Sequence, residues 1–208
     1  MDEFIKATTF LFVLLNPFLL SIYLLDLLHQ LPLRRFATVV ARGGLIASAV
    51  FVLFALTGDR VFSDVLQVRF AAFLIFGGLI FLVVGLRFVF GGPNTLAELR
   101  GDPKYLEGSV AMPFLIGPGT VSASIFAGLR QEALPAVGSV VLATFLALAS
   151  LVAFKVLYDY LAHRHEAIVQ RYVESVGRIM ALVIGSIAVE MILQGVEAWL
   201  ALKVEAPG

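Results

Sequence analysis

The sequence contains no cysteine, which excludes disulfide bonds, thiolate nucleophiles and thiolate metal sites. Charged residues are also scarce, at 14% of the chain against about 25% in an ordinary soluble protein. The 15 basic and 15 acidic residues balance, so no basic excess points to a nucleic-acid partner. Phosphate-loop, zinc-protease and serine-nucleophile motifs are absent, which argues against ATP-driven transport and against an enzyme. We expect no metal and no cofactor.

Hydrophobic residues are abundant instead, at 60% of the 208 residues, and the mean hydropathy is +0.98. A chain this apolar cannot cover a water-facing surface, whereas each membrane span needs roughly 20 apolar residues. The sequence therefore predicts one all-α transmembrane domain over residues 1–208, embedded in a lipid bilayer. Six apolar stretches are predicted to span it, at about 4–28, 36–57, 68–90, 108–129, 134–158 and 176–201.

The basic residues predict the orientation of these spans. The connections after spans 1, 3 and 5 hold ten lysines and arginines, and the other side holds five. Because the side richer in basic residues faces the cytoplasm, both termini are predicted to be non-cytoplasmic. We expect a multi-pass protein of the cell inner membrane.

A weak internal repeat divides the chain into two three-span units, residues 1–95 and 104–203. Because each unit has an odd number of spans, the second must enter the membrane upside down, as in many secondary transporters. The predicted architecture is therefore two inverted three-helix repeats. The matched segments are Pro17–Leu20 with Pro113–Ile116, and Arg69 and Gly77–Gly78 with Arg178 and Gly185–Ser186.

Spans 1 and 4 each contain a helix-breaking segment, so both helices are predicted to be discontinuous. In span 1, asparagine is a good N-cap and the proline after it is favoured as the first residue of a new helix. In span 4, two glycines free the backbone, the proline between them ends the helix, and Thr120 or Ser122 can cap the helix that follows. A helix that begins inside the bilayer carries partial positive charge and free N–H groups, which suit a carboxylate. The alternative is that both prolines merely kink their helices. The predicted substrate-binding residues are Asn16, Pro17, Gly117, Pro118, Gly119, Thr120 and Ser122.

Span 6 contains a carboxylate near its centre, Glu190. Such a group costs about 2.5–3.5 kcal/mol in the membrane, so we expect it to face the bundle interior or water. Ser186 and Gln194 lie four residues to either side and share its helical face. This polar stripe would bind a substrate ammonium group or relay a proton. The alternative is a structural hydrogen bond between helices.

With these motifs, the chain resembles the MarC family of integral membrane proteins over nearly its whole length. The resemblance rests on Asn16-Pro17, Gly77-Gly78, Pro113 with Gly117-Pro118-Gly119, and residues 187–195. It implies a six-span transporter of small neutral amino acids, related to LysE-type exporters, with Asn16, Gly117, Gly119 and Thr120 at the substrate site. This chain departs from the family pattern in span 6, since the family usually has Gln at position 190 and an acidic residue at 194.

Together these observations predict a secondary active transporter of small neutral amino acids such as alanine, glycine and serine, working by alternating access. A proton or sodium ion is the expected coupling ion. The alternative is a non-transporting membrane scaffold or regulatory subunit. Small residues recur on one face of span 6, at Gly177, Ala181 and Gly185, and they would serve either the internal packing of the bundle or a homo-oligomer.

Overall fold

The computed structural model describes residues 2–58, 60–65, 67–91 and 115–204. Within helices, the side chains of 26, 162–178, 180 and 202–204 lie outside the description. The described ranges form seven α-helices and one short π-helical segment (Val61–Val65), with no β-strand. The helices are α1 (Asp2–Leu15), α2 (Pro17–Tyr23), α3 (Leu25–Gln30), α4 (Leu33–Thr57), α5 (Phe70–Gly91), α6 (Pro118–Arg130) and α7 (Ala133–Val204).

Five helical stretches in the described ranges are long and apolar enough to cross a membrane. This confirms the all-α membrane protein and accounts for five of the six predicted spans. The predicted fourth span is described only from residue 115 onward, and its helix α6 has 13 residues. That is about 20 Å, less than the roughly 30 Å of a bilayer core. The five stretches are Asp2–Tyr23, Leu33–Thr57, Phe70–Gly91, Ala133–Leu161 and Ala181–Ala201.

Helix α7 joins the predicted spans 5 and 6 without a loop, so the expected connection between them is wrong. The reason is local, because residues 139–176 contain no glycine or proline to interrupt the backbone hydrogen bonds. A straight helix of 72 residues would be about 110 Å long. The first apolar stretch of α7 packs on α4, where a Cβ added to Gly44 would meet the Leu148 side chain, and the second packs on α5, so the helix axis must bend to bring both into one bundle.

Small residues bring the helices close together. On α5, a Cβ added to Gly78 would lie 2.8 Å from the backbone oxygen of Ala188 in α7. Conversely, a Cβ added to Gly195 would lie 2.8 Å from the oxygen of Ala71 in α5. Because a side chain at either glycine would collide with backbone, this packing fixes which face of α7 turns inward.

Polar contacts close the two ends of the bundle. At one end, the guanidinium of Arg130 lies 3.9 Å from the carboxylate of Glu3, which ties the start of α1 to the corner between α6 and α7. At the other end, the buried Lys155 donates hydrogen bonds of 2.6 Å to the backbone oxygen of Leu28 and to Asp159. The N-terminus and residues 131–132 therefore lie at one end, and the α3–α4 corner lies at the other.

Candidate solute-binding site

The first span is interrupted where the sequence predicted it. Asn16 has left-handed backbone angles (φ 42°, ψ 77°), a conformation that asparagine adopts more readily than most residues. Its side-chain Oδ1 accepts a 3.1 Å hydrogen bond from the N–H of Leu19, and Pro17 is the first residue of α2. Asn16 therefore acts as the N-cap, and the interruption between α1 and α2 is a single residue long.

The described part of the fourth predicted span begins in a similar way. Gly117 is extended (φ −115°, ψ 164°), and α6 begins at Pro118. The buried Thr120 hydroxyl accepts a 3.0 Å hydrogen bond from the Gly117 N–H. It also lies 2.9 Å from the backbone oxygens of Leu115 and Gly117, and its single proton can go to either. Thr120 thus holds the turn into α6 together.

This helix start leaves two backbone N–H groups without intrahelical partners. Pro118 has no N–H, and the first regular bond runs from the Val121 N–H to the Gly117 oxygen at 2.9 Å. The N–H groups of Gly119 and Thr120 precede that bond, so the helix itself cannot satisfy them. They are the donors at the positive end of the α6 dipole.

The two helix starts meet at one cavity of about 220 Å³. Pockets for drug-sized ligands have about 300–1,000 Å³, so this cavity suits a smaller solute. No charged side chain of the described residues lines it. The polar part of its wall consists of Asn16, Gly117, Gly119 and Thr120, and the apolar part consists of Val13, Leu14, Leu15, Leu19, Leu20, Tyr23, Phe81, Leu115, Ile187 and Met191.

Four of the seven predicted binding residues therefore line the cavity, and three do not. Pro17 and Pro118 are buried beside it as the first residues of their helices. Pro118 packs against α5, where a Cβ added to Gly77 would lie 2.7 Å from the proline Cδ. Ser122 is half-buried on α6 and does not reach the wall.

The structure does not bring the polar stripe of α7 to this cavity. Glu190, Gln194 and Ser186 are all exposed on the outside of the described bundle. The Gln194 amide donates a 2.9 Å hydrogen bond to Glu190, and the Ser186 hydroxyl donates a 3.0 Å bond to the Leu182 oxygen of its own helix. The expectation that Glu190 faces the bundle interior is therefore wrong.

The packing of α7 explains this outcome. Ile184 and Ala188 turn into the bundle against α5, and Ser186 and Glu190, each two residues further along, point about 160° away from them. Successive residues of an α-helix differ by about 100° in direction, so Ile187 reaches the cavity although Ser186 does not.

Sequence reasoning missed the apolar wall of the cavity. Leu19, Leu20 and Tyr23 follow Asn16 by three, four and seven residues, so helical spacing alone places them on its face. Ile187 and Met191 carry no comparable signal, because one apolar residue in a membrane helix resembles the next. Their position depends on the contact between α5 and α7.

Comparison with known proteins agrees with this architecture. The chain is 28% identical over 204 residues to the UPF0056 inner membrane protein YhgN of Escherichia coli K12, covering 96% of this chain and 99% of YhgN. It is 26% identical over 206 residues to the UPF0056 membrane protein MJ1677 of Methanocaldococcus jannaschii, covering 94% and 97%. No solved structure matches the chain. A family model described as MarC family integral membrane protein matches residues 1–200, and the chain therefore belongs to the MarC family.

Proposed function

We propose that this protein is a secondary active transporter of small neutral amino acids of the alanine, glycine and serine type. The observation that carries the proposal is the cavity at which two helix starts meet within an otherwise apolar bundle. Backbone that departs from a regular helix at membrane depth is tolerated where it lines a cavity or is buried in protein. Transporters use such breaks to bind solutes.

The chemistry of the cavity wall favours a zwitterion. The free N–H groups of Gly119 and Thr120 are donors for a solute carboxylate at the positive end of α6. Asn16 uses its Oδ1 to cap α2, which leaves its amide nitrogen to donate to the same carboxylate. A solute ammonium faces the oxygen acceptors of Gly117 and Thr120. A solute with net charge would need a buried counter-charge, and the described wall has none.

The architecture proposed for this activity is two inverted three-helix repeats, residues 1–95 and 104–203, that rock about the cavity. Burial supports it. The buried positions of α4, including Phe36, Val40 and Phe51, recur 100 residues later in α7 at Ala136, Val140 and Leu151. The full set in α4 is 36, 39, 40, 43, 44, 47, 51 and 55, and the set in the first apolar stretch of α7 is 136, 139, 140, 143, 144, 147, 151 and 155.

The helix boundaries support the same repeat in a different register from the sequence match. Gln30 and Arg130 end corresponding helices, again 100 residues apart. The helix starts at Pro17 and Pro118 are 101 apart, and the irregular turn at Leu24 absorbs the extra residue. Pro17 is thus equivalent to Pro118, whereas the sequence match paired it with Pro113, which lies outside the described residues.

The transport test is uptake of labelled alanine, glycine and serine into proteoliposomes under an imposed proton or sodium gradient. The proposal expects uptake driven by one of the two gradients and reduced in Thr120→Val. Thr144→Val is the matched control, because the buried Thr144 hydroxyl donates its 2.9 Å hydrogen bond to the Val140 oxygen of its own helix. Folded protein that neither transports nor is thermally stabilised by these amino acids would favour the scaffold alternative.

For location we propose the inner membrane with both termini non-cytoplasmic. The relative YhgN is named as an inner membrane protein, and the contact between Arg130 and Glu3 puts the N-terminus at the end opposite the arginine-rich α3–α4 corner. Single cysteines at Glu3 and Arg34 test this in a chain that has none of its own. An impermeant maleimide should label Glu3→Cys in intact spheroplasts and label Arg34→Cys only after permeabilisation. The reverse pattern would contradict the orientation.

A further inference from the structure

The exposed polar stripe of α7 lies near the middle of the membrane. Glu190 is the tenth of the 21 residues in the apolar stretch Ala181–Ala201. Two residues away, Ala188 packs on Gly78, which is the ninth of the 22 residues of α5. Both spans therefore place the stripe at mid-depth, where an outward-facing side chain meets hydrocarbon and not headgroups or water.

Hydrocarbon cannot satisfy the polar atoms of this stripe. The hydrogen bond from Gln194 to Glu190 uses one carboxylate oxygen and one amide hydrogen. The second carboxylate oxygen, the remaining amide groups and the lone pairs of Ser186 still need partners. Carboxylates in membrane helices almost always face protein or water, and the described residues leave this surface uncovered.

A groove next to the stripe is shaped to admit another helix. It runs between α5 and the second apolar stretch of α7, and it encloses about 510 Å³. A Cβ added to Gly185 would meet nothing within 4 Å, so internal packing does not require glycine there. Its walls are Leu82, Gly85, Leu86, Val89, Ala181, Leu182, Gly185, Ser186, Val189 and Glu190.

We propose that a second copy of this chain covers the stripe, forming a dimer about a two-fold axis along the membrane normal. Such an axis sets each residue opposite its own counterpart at the same depth. The stripe can pair with itself, because Gln194 of each copy keeps one amide hydrogen and Glu190 keeps one oxygen that its own helix does not use. Across the axis, each Gln194 can therefore donate to the Glu190 of the other copy. Gly185 lets the two α7 helices approach closely beside it.

Cysteine cross-linking in native membranes tests the surface directly. The natural chain has no cysteine, so Ser186→Cys introduces a single thiol on the stripe. Leu45→Cys is the matched control, since Leu45 is 70% exposed on α4, away from the groove. Oxidation should convert Ser186→Cys to a covalent dimer and leave Leu45→Cys monomeric. Equal cross-linking of both, none at Ser186, or a cross-link to a different protein would overturn the proposal.

The strength of association gives a second, independent test. Gly185→Leu fills the groove without an internal clash, and Glu190→Leu removes the carboxylate. Each should weaken dimerisation in lipid nanodiscs by about tenfold or more. Ala149→Leu, at an exposed position of the first apolar stretch of α7, should leave it unchanged. Monomeric wild-type protein, or dimers equally stable in all variants, would overturn the proposal.

Discussion

The cavity and the outer stripe of α7 both place polar groups inside the membrane, and they do so by different means. At the cavity, the polar atoms are backbone N–H groups and neutral side chains, and the side-chain oxygens of Asn16 and Thr120 accept the hydrogen bonds that hold the two helix starts. On the stripe, the polar atoms belong to long side chains around Glu190 that face outward. The comparison teaches that the proposed solute site relies on backbone groups and neutral side chains, whereas the one described mid-membrane carboxylate lies on an outer surface.

The largest effect on stability is expected when the same substitution, glycine to leucine, is made on the two sides of the contact between α5 and α7. Gly78→Leu should reduce the free energy of unfolding by about 3 kcal/mol or more, because its side chain would collide with the Ala188 backbone. Gly185→Leu should change it little, since the groove is open there. Thermal unfolding of both variants in detergent measures the difference. Equal destabilisation would mean that the groove is already filled by the bundle itself.

Thr120→Val should have the next largest effect. It leaves the Gly117 N–H buried without its acceptor, which costs about 1–3 kcal/mol of stability. It also disturbs the turn that positions Gly119 and Thr120 at the cavity, so amino-acid uptake should fall at least about tenfold. The Thr144→Val variant should retain the stability and the amino-acid uptake of the wild-type protein. Normal uptake by folded Thr120→Val protein would remove this turn from the binding site.

Two substitutions at Asn16 separate its conformational role from its chemical one. Asn16→Ala should lose about 1 kcal/mol from the missing cap, with further strain because alanine disfavours the left-handed conformation. Asn16→Gly accepts that conformation and should recover most of the stability without recovering uptake. Melting temperatures and uptake rates of the pair measure this. Recovery of uptake in Asn16→Gly would show that the side-chain amide does not contact the solute.

The smallest expected effect is that of Glu190→Gln on transport. The apparent affinity for amino acids should stay within about twofold of the wild-type value, because the side chain does not line the cavity. Concentration-dependent uptake into proteoliposomes measures it. A tenfold loss of affinity would mean that the stripe takes part in transport, and the cavity and the stripe would then not differ in function.

Local chemistry made most of the membrane spans and the first helix break predictable from the sequence. The apolar stretches give five of the spans, and the N-cap and proline at Asn16 and Pro17 give the break in the first. The prediction that was wrong concerns a feature that tertiary contacts determine. The direction of Glu190 is set by the packing of Ala188 on Gly78, and no single helix encodes that choice. The proposed pairing of Pro17 with Pro118 likewise depends on where the two helices start, which the similarity of Pro17–Leu20 to Pro113–Ile116 does not reveal.

The hydrogen bond from Lys155 to the Leu28 oxygen has a counterpart of a different kind. One hundred residues away, the equivalent positions are Ala55 and Gly128, whose backbones touch directly with no charge between them. In a carrier that opens alternately to each side, one mouth would then be held by the buried ammonium group of Lys155, and the other by close backbone contact and by the exposed ion pair of Arg130 and Glu3. Because salt screens exposed charges far more than buried ones, ionic strength would act mainly on the second mouth, so the two faces of the membrane would not exert equal control over the transport cycle.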